Sequence, residues 1–81
     1  MTLVYLLLRA EHGKIGIVKN ALTKYEEMKE IHEVFGRYDI IAKVETQNSK
    51  DFKRFIQNKI RIMEGIKSIE PVFAADDDLQ N

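Results

Sequence analysis

Gly36-Arg37-Tyr38-Asp39 places a backbone-permissive residue, a cation, a phenol and a carboxylate within four positions, between two apolar runs. Glycine and aspartate serve a tight turn on their own account, one by its conformational freedom and the other by bonding to nearby amides. The same four residues also suit a small zwitterion. Asp39 would take an ammonium, Gly36 would let backbone N–H groups approach an anion, and Tyr38 would give an apolar wall with a polar tip. Arg37 could reach a ligand carboxylate or a neighbouring subunit, and equally could lie in solvent.

Nothing else in the chain suggests chemistry. His12 and His32 are the only histidines, and His32 has Glu30 and Glu33 nearby. In a strand Glu33 points to the opposite face, so three convergent metal ligands do not assemble there. Ser49 and Ser68 have no positioned base, and no Cys is present to act as nucleophile or thiolate ligand. Gly13-Lys14-Ile15-Gly16 lacks the spacing of a phosphate loop. Asp76-Asp77-Asp78 reads as a solvated acidic run. No catalytic residue, metal or cofactor is expected. Thirteen Lys and Arg balance thirteen Asp and Glu in 81 residues, which gives no electrostatic surplus for wrapping nucleic acid. The longest apolar run, Leu3 to Leu8, is too short for a membrane span and lacks the basic start of a signal peptide, so a cytoplasmic location is expected.

The elements that would carry the turn follow from periodicity. Leu3 to Leu8 suits a strand with both faces covered. From Lys14 to Tyr25, Ile15, Val18, Leu22 and Tyr25 recur at steps of three and four, with Ile17 and Ala21 widening that helical face. Met28 to Phe35 and Asp39 to Thr46 read as strands joined through Gly36-Arg37-Tyr38 in an antiparallel hairpin. Asn48 with Asp51 resembles a capping pair at the start of a second helix, whose apolar positions are Phe52, Phe55, Ile56, Ile60 and Met63. That helix carries Lys50, Lys53, Arg54, Lys59 and Arg61 on its other side, without the interleaved aromatics that stack bases. Ile66 to Ala75 reads as a fourth strand, and Pro71 within it demands an edge position or a bulge. Residues 1–75 thus form one domain, followed by the acidic tail 76–81.

The order strand-helix-strand-strand-helix-strand is the ferredoxin-like, α+β plan. It predicts a four-stranded antiparallel sheet, order 4-1-3-2, with both helices on one face. The most continuous apolar strands are then central. Two helices cover one sheet face only, yet Leu3, Tyr5 and Leu7 are as apolar as Val4, Leu6 and Leu8. A folded chain this short buries only about 60% of its extended surface, so a second copy packed sheet to sheet is the natural cover.

The run Val34-Phe35-Gly36-Arg37-Tyr38-Asp39-Ile40-Ile41-Ala42-Lys43-Val44 resembles the V-x-G-x-Y-D-hydrophobic-hydrophobic-x-K/R-V signature of the leucine-responsive regulatory protein (Lrp/AsnC) family. There it lies in the C-terminal effector-binding and oligomerisation domain, the regulation-of-amino-acid-metabolism domain. The resemblance extends from the first strand through Phe52-x-x-Phe55-Ile56 to Glu64-Gly65-Ile66. It implies sheet-to-sheet dimers, their assembly into tetramers of dimers, and an amino-acid effector held between dimers by the turn Gly36, Arg37, Tyr38 and Asp39. Family members usually carry a helix-turn-helix ahead of this domain. Here Met1 leads almost at once into the first strand, so a stand-alone effector module is expected, partnered by DNA-binding paralogues and not itself bound to nucleic acid. One departure matters: where the family commonly shows Thr-x-Thr, this chain has Ile69 and Pro71. Their absence leaves open a different small molecule, or an assembly-only role with a vestigial pocket. A dimeric α+β barrel enzyme using His32 or Tyr5 between the sheets is the other alternative, and an amino-acid-binding module of the ACT type shares the same element order.

Overall fold

The computed structural model describes residues 1–75; the acidic run Asp76-Asp77-Asp78 lies outside the described residues. Its strands are β1 (Thr2–Ala10), β2 (Met28–Glu33), β3 (Ile40–Thr46) and β4 (Ile66–Phe73), and its helices are α1 (Ile15–Leu22) and α2 (Ser49–Phe55). They form one antiparallel sheet in the order β2-β3-β1-β4, the expected topology with Pro71 on an edge strand.

Alternation in the two central strands decides what is inside. Val4, Leu6 and Leu8 of β1 and Ile40, Ala42 and Val44 of β3 are fully buried, and they share one core with Val18, Leu22, Phe52, Phe55, Ile56 and Ile60 from the helical segments. Both helices therefore lie on the same sheet face. Two edge-to-face aromatic pairs close that layer, Tyr25 on Phe55 at 5.4 Å and Phe52 on Phe73 at 5.2 Å between ring centroids.

Several boundaries are tighter than the periodicity predicts. α1 ends at Leu22, not Tyr25: the N–H groups of Lys24 and Tyr25 turn back to carbonyls three residues earlier, and the Thr23 hydroxyl donates to Asn20 O at 2.7 Å. That turn frees Tyr25 to reach Phe55. Ile17, expected to widen the buried face, is exposed. β2 stops at Glu33, because Val34 N–H closes the hairpin by donating to Asp39 O at 2.9 Å, and Phe35 beyond it is wholly exposed. The second helix starts as read, with Asn48 Oδ1 accepting from the Asp51 N–H at 2.8 Å. It then changes pitch. Residues Ile56–Ile60 form a π-helical turn, and Arg61 N–H donates to Ile56 O, five residues back.

Both edge strands carry an irregularity that the sequence reading misplaced or missed. In β2 the register skips Lys29, so Met28 faces Val44 and Glu30 faces Lys43. In β4 it skips Lys67, between the pairs Arg9–Ser68 and Ala10–Ile66. Pro71 itself sits in regular register opposite Leu6. It needs no bulge, because an edge strand has one side on which a missing N–H costs no ladder bond.

Candidate functional site

The Gly36–Asp39 turn sits at the end of the sheet where β1 runs into α1. Gly36 adopts φ 128°, a conformation that a side chain would strain. Asp39 then enters β3 beside β1 and is tied down twice. Its N–H donates to Leu8 O at 2.9 Å, and its Oδ2 accepts from Ala10 N–H at 2.8 Å. The carboxylate is thus a structural clamp between hairpin and central strand, a role that the sequence reading did not assign to it. Its other oxygen remains as a second acceptor.

Tyr38 ties the turn to the far edge. Its hydroxyl donates to Glu70 Oε1 at 2.9 Å, reaching from the turn past β1 to β4. That hydrogen bond, helped by partial desolvation and the Glu70 charge, raises the phenol above its ordinary range, while Arg37 and Arg9 pull it back. Two guanidinium groups therefore act on Tyr38, and neither is in an ion pair among the described residues. Glu70 lies between Ile69 and Pro71, so the segment that lacks the Thr-x-Thr hydroxyls still supplies a carboxylate to the turn. The N–H groups of Gly36, Arg37 and Tyr38 donate to no protein acceptor among the described residues. The four residues are contiguous, and the structure adds Arg9, Glu70 and the Ala10 N–H around them. Sequence reading found the turn but not these three, which come from strands distant in the chain.

Flanking the turn is the sheet face that no helix among the described residues covers. On it Tyr5 is 39% and Val72 44% exposed, with Leu3, Leu7 and Ile41 half-buried. Tyr5 lies between Lys43 and Val72, and Leu7 between Ile41 and Glu70. His32 is also on this face, opposite Ile41, with Nε2 3.0 Å from Glu30 Oε1. Lys43 Nζ stands 3.6 Å from the other Glu30 oxygen, and His32 and Lys43 together hold the Glu30 carboxyl below its usual range. No hydrogen bond joins Tyr5 to His32, and no group of three metal-ligating side chains occurs among the described residues. His12 is exposed in the β1–α1 turn and Ser49 opens α2, neither beside a base.

At the opposite end of the sheet is an open groove of about 460 Å³, between the N-terminal end of β1, the α1–β2 loop and α2. Nothing in the spacing of the sequence pointed to it.

Over residues 3–76 the chain matches the family model described as the Lrp/AsnC ligand binding domain. Among curated proteins it is 32% identical over 65 residues to the HTH-type transcriptional regulator FL11 of Pyrococcus furiosus, covering 80% of this chain and 42% of that one. The chain therefore spans less than half the length of the curated relatives it matches. The crystal structure of FFRP-DM1 is 38% identical, with a TM-score of 0.88 over 91% of this chain and 99% of that one. A transcriptional regulator of Neisseria meningitidis, solved as a complex with L-Met, shares the fold at 12% identity, TM-score 0.83, covering 90% of this chain and 49% of that one. Among the described residues no helix is long and apolar enough to cross a membrane.

Proposed function

The chain belongs to the Lrp/AsnC ligand-binding domain family, and from that premise we propose that it is a cytoplasmic sensing and assembly module of a transcriptional regulation system. In this reading residues 1–75 are the working domain. Two copies pair through the uncovered sheet face, dimers assemble further, and a free amino acid binds at the Gly36–Asp39 turn where subunits meet. DNA-binding relatives are its protein partners, and the module itself makes no contact with duplex DNA.

The observation that carries the reading is the turn itself. Three unengaged N–H groups and the Arg9 and Arg37 guanidiniums suit a carboxylate, while Asp39 and Glu70 suit an ammonium. The L-Met complex of the Neisseria regulator supports the class of ligand. Asp39 has two tasks here, clamping Ala10 through one oxygen and facing the ligand with the other. That makes Asp39→Asn the cleaner test, since its amide oxygen keeps an acceptor for the Ala10 N–H. Thermal shift across the twenty amino acids identifies the ligand, because any molecule bound by the native state raises apparent stability. Calorimetry on the variant is then expected to show binding weakened by roughly ten- to a hundredfold at unchanged oligomer size. Equal affinity would remove Asp39 from the site. Stabilisation by none of the twenty would favour the assembly-only role.

A further inference from the structure

The groove at the other end of the sheet is built from irregularities, and they converge. The bulge in β2 sits at Lys29, and Lys29 lines the groove. The π-helical turn supplies Asn58 and Lys59 to the opposite side. Both distortions interrupt a regular ladder, and both recur where side chains are re-aimed for function. The two walls are of unlike charge. The α2 side presents Asp51, Arg54 and Lys59, an excess of cations. Facing it, the loop and strand ends present Glu26, Glu27, Lys29 and Glu45, an excess of carboxylates. No two of these seven side chains form an ion pair with one another. Buried Phe55 adds an apolar element to the lining.

We propose that this groove is a second binding site, for an extended zwitterion such as a short peptide with both termini free. A ligand with one anionic and one cationic end matches walls of opposite sign held apart. The volume, about 460 Å³, lies within the range of small-molecule sites and is far more than a single small amino acid fills. A carboxylate belongs with Arg54 and Lys59, an ammonium with Glu26 and Glu27, and the intervening chain lies over Phe55. The site is independent of the Gly36–Asp39 turn, which lies at the other end of β3.

Amide-resolved NMR titration of the full chain with tri-L-alanine tests this. Saturable shifts are expected at Lys29, Gln47 and Asn58, with Gly36 to Asp39 unmoved. N-acetyl-trialanine lacks the ammonium and trialanine amide lacks the carboxylate, so each is expected to bind about tenfold more weakly, and L-alanine more weakly still. Arg54→Glu combined with Lys59→Glu, both exposed positions, is expected to raise Kd at least about tenfold with spectral dispersion retained. Should that variant lose its fold, the milder Arg54→Gln tests the same carboxylate contact, with a smaller rise in Kd expected. Asp39→Asn is expected to leave the tripeptide Kd unchanged, which separates this site from the turn. Absence of saturable shifts at the groove, equal binding of the capped peptides or of L-alanine, or an unaltered Kd in the charge variants would overturn the proposal.

Discussion

The two faces of the sheet are made by the same strands and have opposite fates. On β1, Val4, Leu6 and Leu8 disappear beneath the helices, while Leu3, Tyr5 and Leu7, one residue out of phase, stay partly in solvent. Composition does not distinguish them. What differs is that α1 and α2 satisfy one half of the alternation and nothing among the described residues satisfies the other. One half of the apolar alternation specifies the fold, and the other half is left at the surface, where the proposed association would cover it.

The sharpest way to break this comparison is to strike adjacent residues of one strand. Leu6→Ala, on the covered face, is expected to cost about 2–5 kcal/mol in chemical denaturation, through lost transfer energy and a residual cavity. Measured at fixed protein concentration, its subunit dissociation should hardly move. Leu7→Asp, one position along, should do the reverse. It places a carboxylate in the apolar contact proposed between copies, which should weaken association by about a hundredfold or more while the circular dichroism of the folded chain is retained. Light scattering that gives the same mass for Leu7→Asp as for the parent would refute a face-to-face assembly. The smallest effect concerns the tie at the border of the open face. Tyr38 is raised above its ordinary pKa by its bond to Glu70. The stability it lends is therefore present in full below the unfolded tyrosine value and lost as pH rises through the folded one. Ultraviolet titration should show one of the three tyrosines ionising late, and Tyr38→Phe should remove that late step. An unchanged titration in Tyr38→Phe would place the raised phenol elsewhere.

Most of the architecture was legible because burial writes a strong pattern. The runs in β1 and β3 and the steps of three and four in both helices required no knowledge of long-range contacts, and Asn48 announced its cap. Less was legible where local rules are bent. Phe52, Phe55, Ile56, Ile60 and Met63 fit an α-helix perfectly well, so the π-turn left no mark in that spacing. The bulges did leave one. Met28 and Ile31 are three apart and both pack toward the core, as do Ile66 and Ile69. In a regular strand that spacing puts two residues on opposite faces, so each pair required one extra residue between them. At the turn, residue types revealed Gly36 and Asp39 but not the clamp on Ala10 or the Tyr38–Glu70 bond, since pairings between distant strands are settled by register. The groove was the least legible feature of all, formed where a loop, a bulge and a π-turn meet.

The two skipped lysines have a consequence for how copies of this chain can aggregate. An exposed β-strand edge invites another strand to add to it, and repeated addition has no natural end. β2 and β4 are the two edges, and each is interrupted by a bulge that carries a lysine, with Pro71 removing one further donor from β4. Strand-by-strand growth into fibres is discouraged at both margins. The route left open is the uncovered face, where two identical surfaces meeting about a two-fold axis satisfy one another and stop. If copies pair as proposed, their association is thereby steered toward assemblies of finite size.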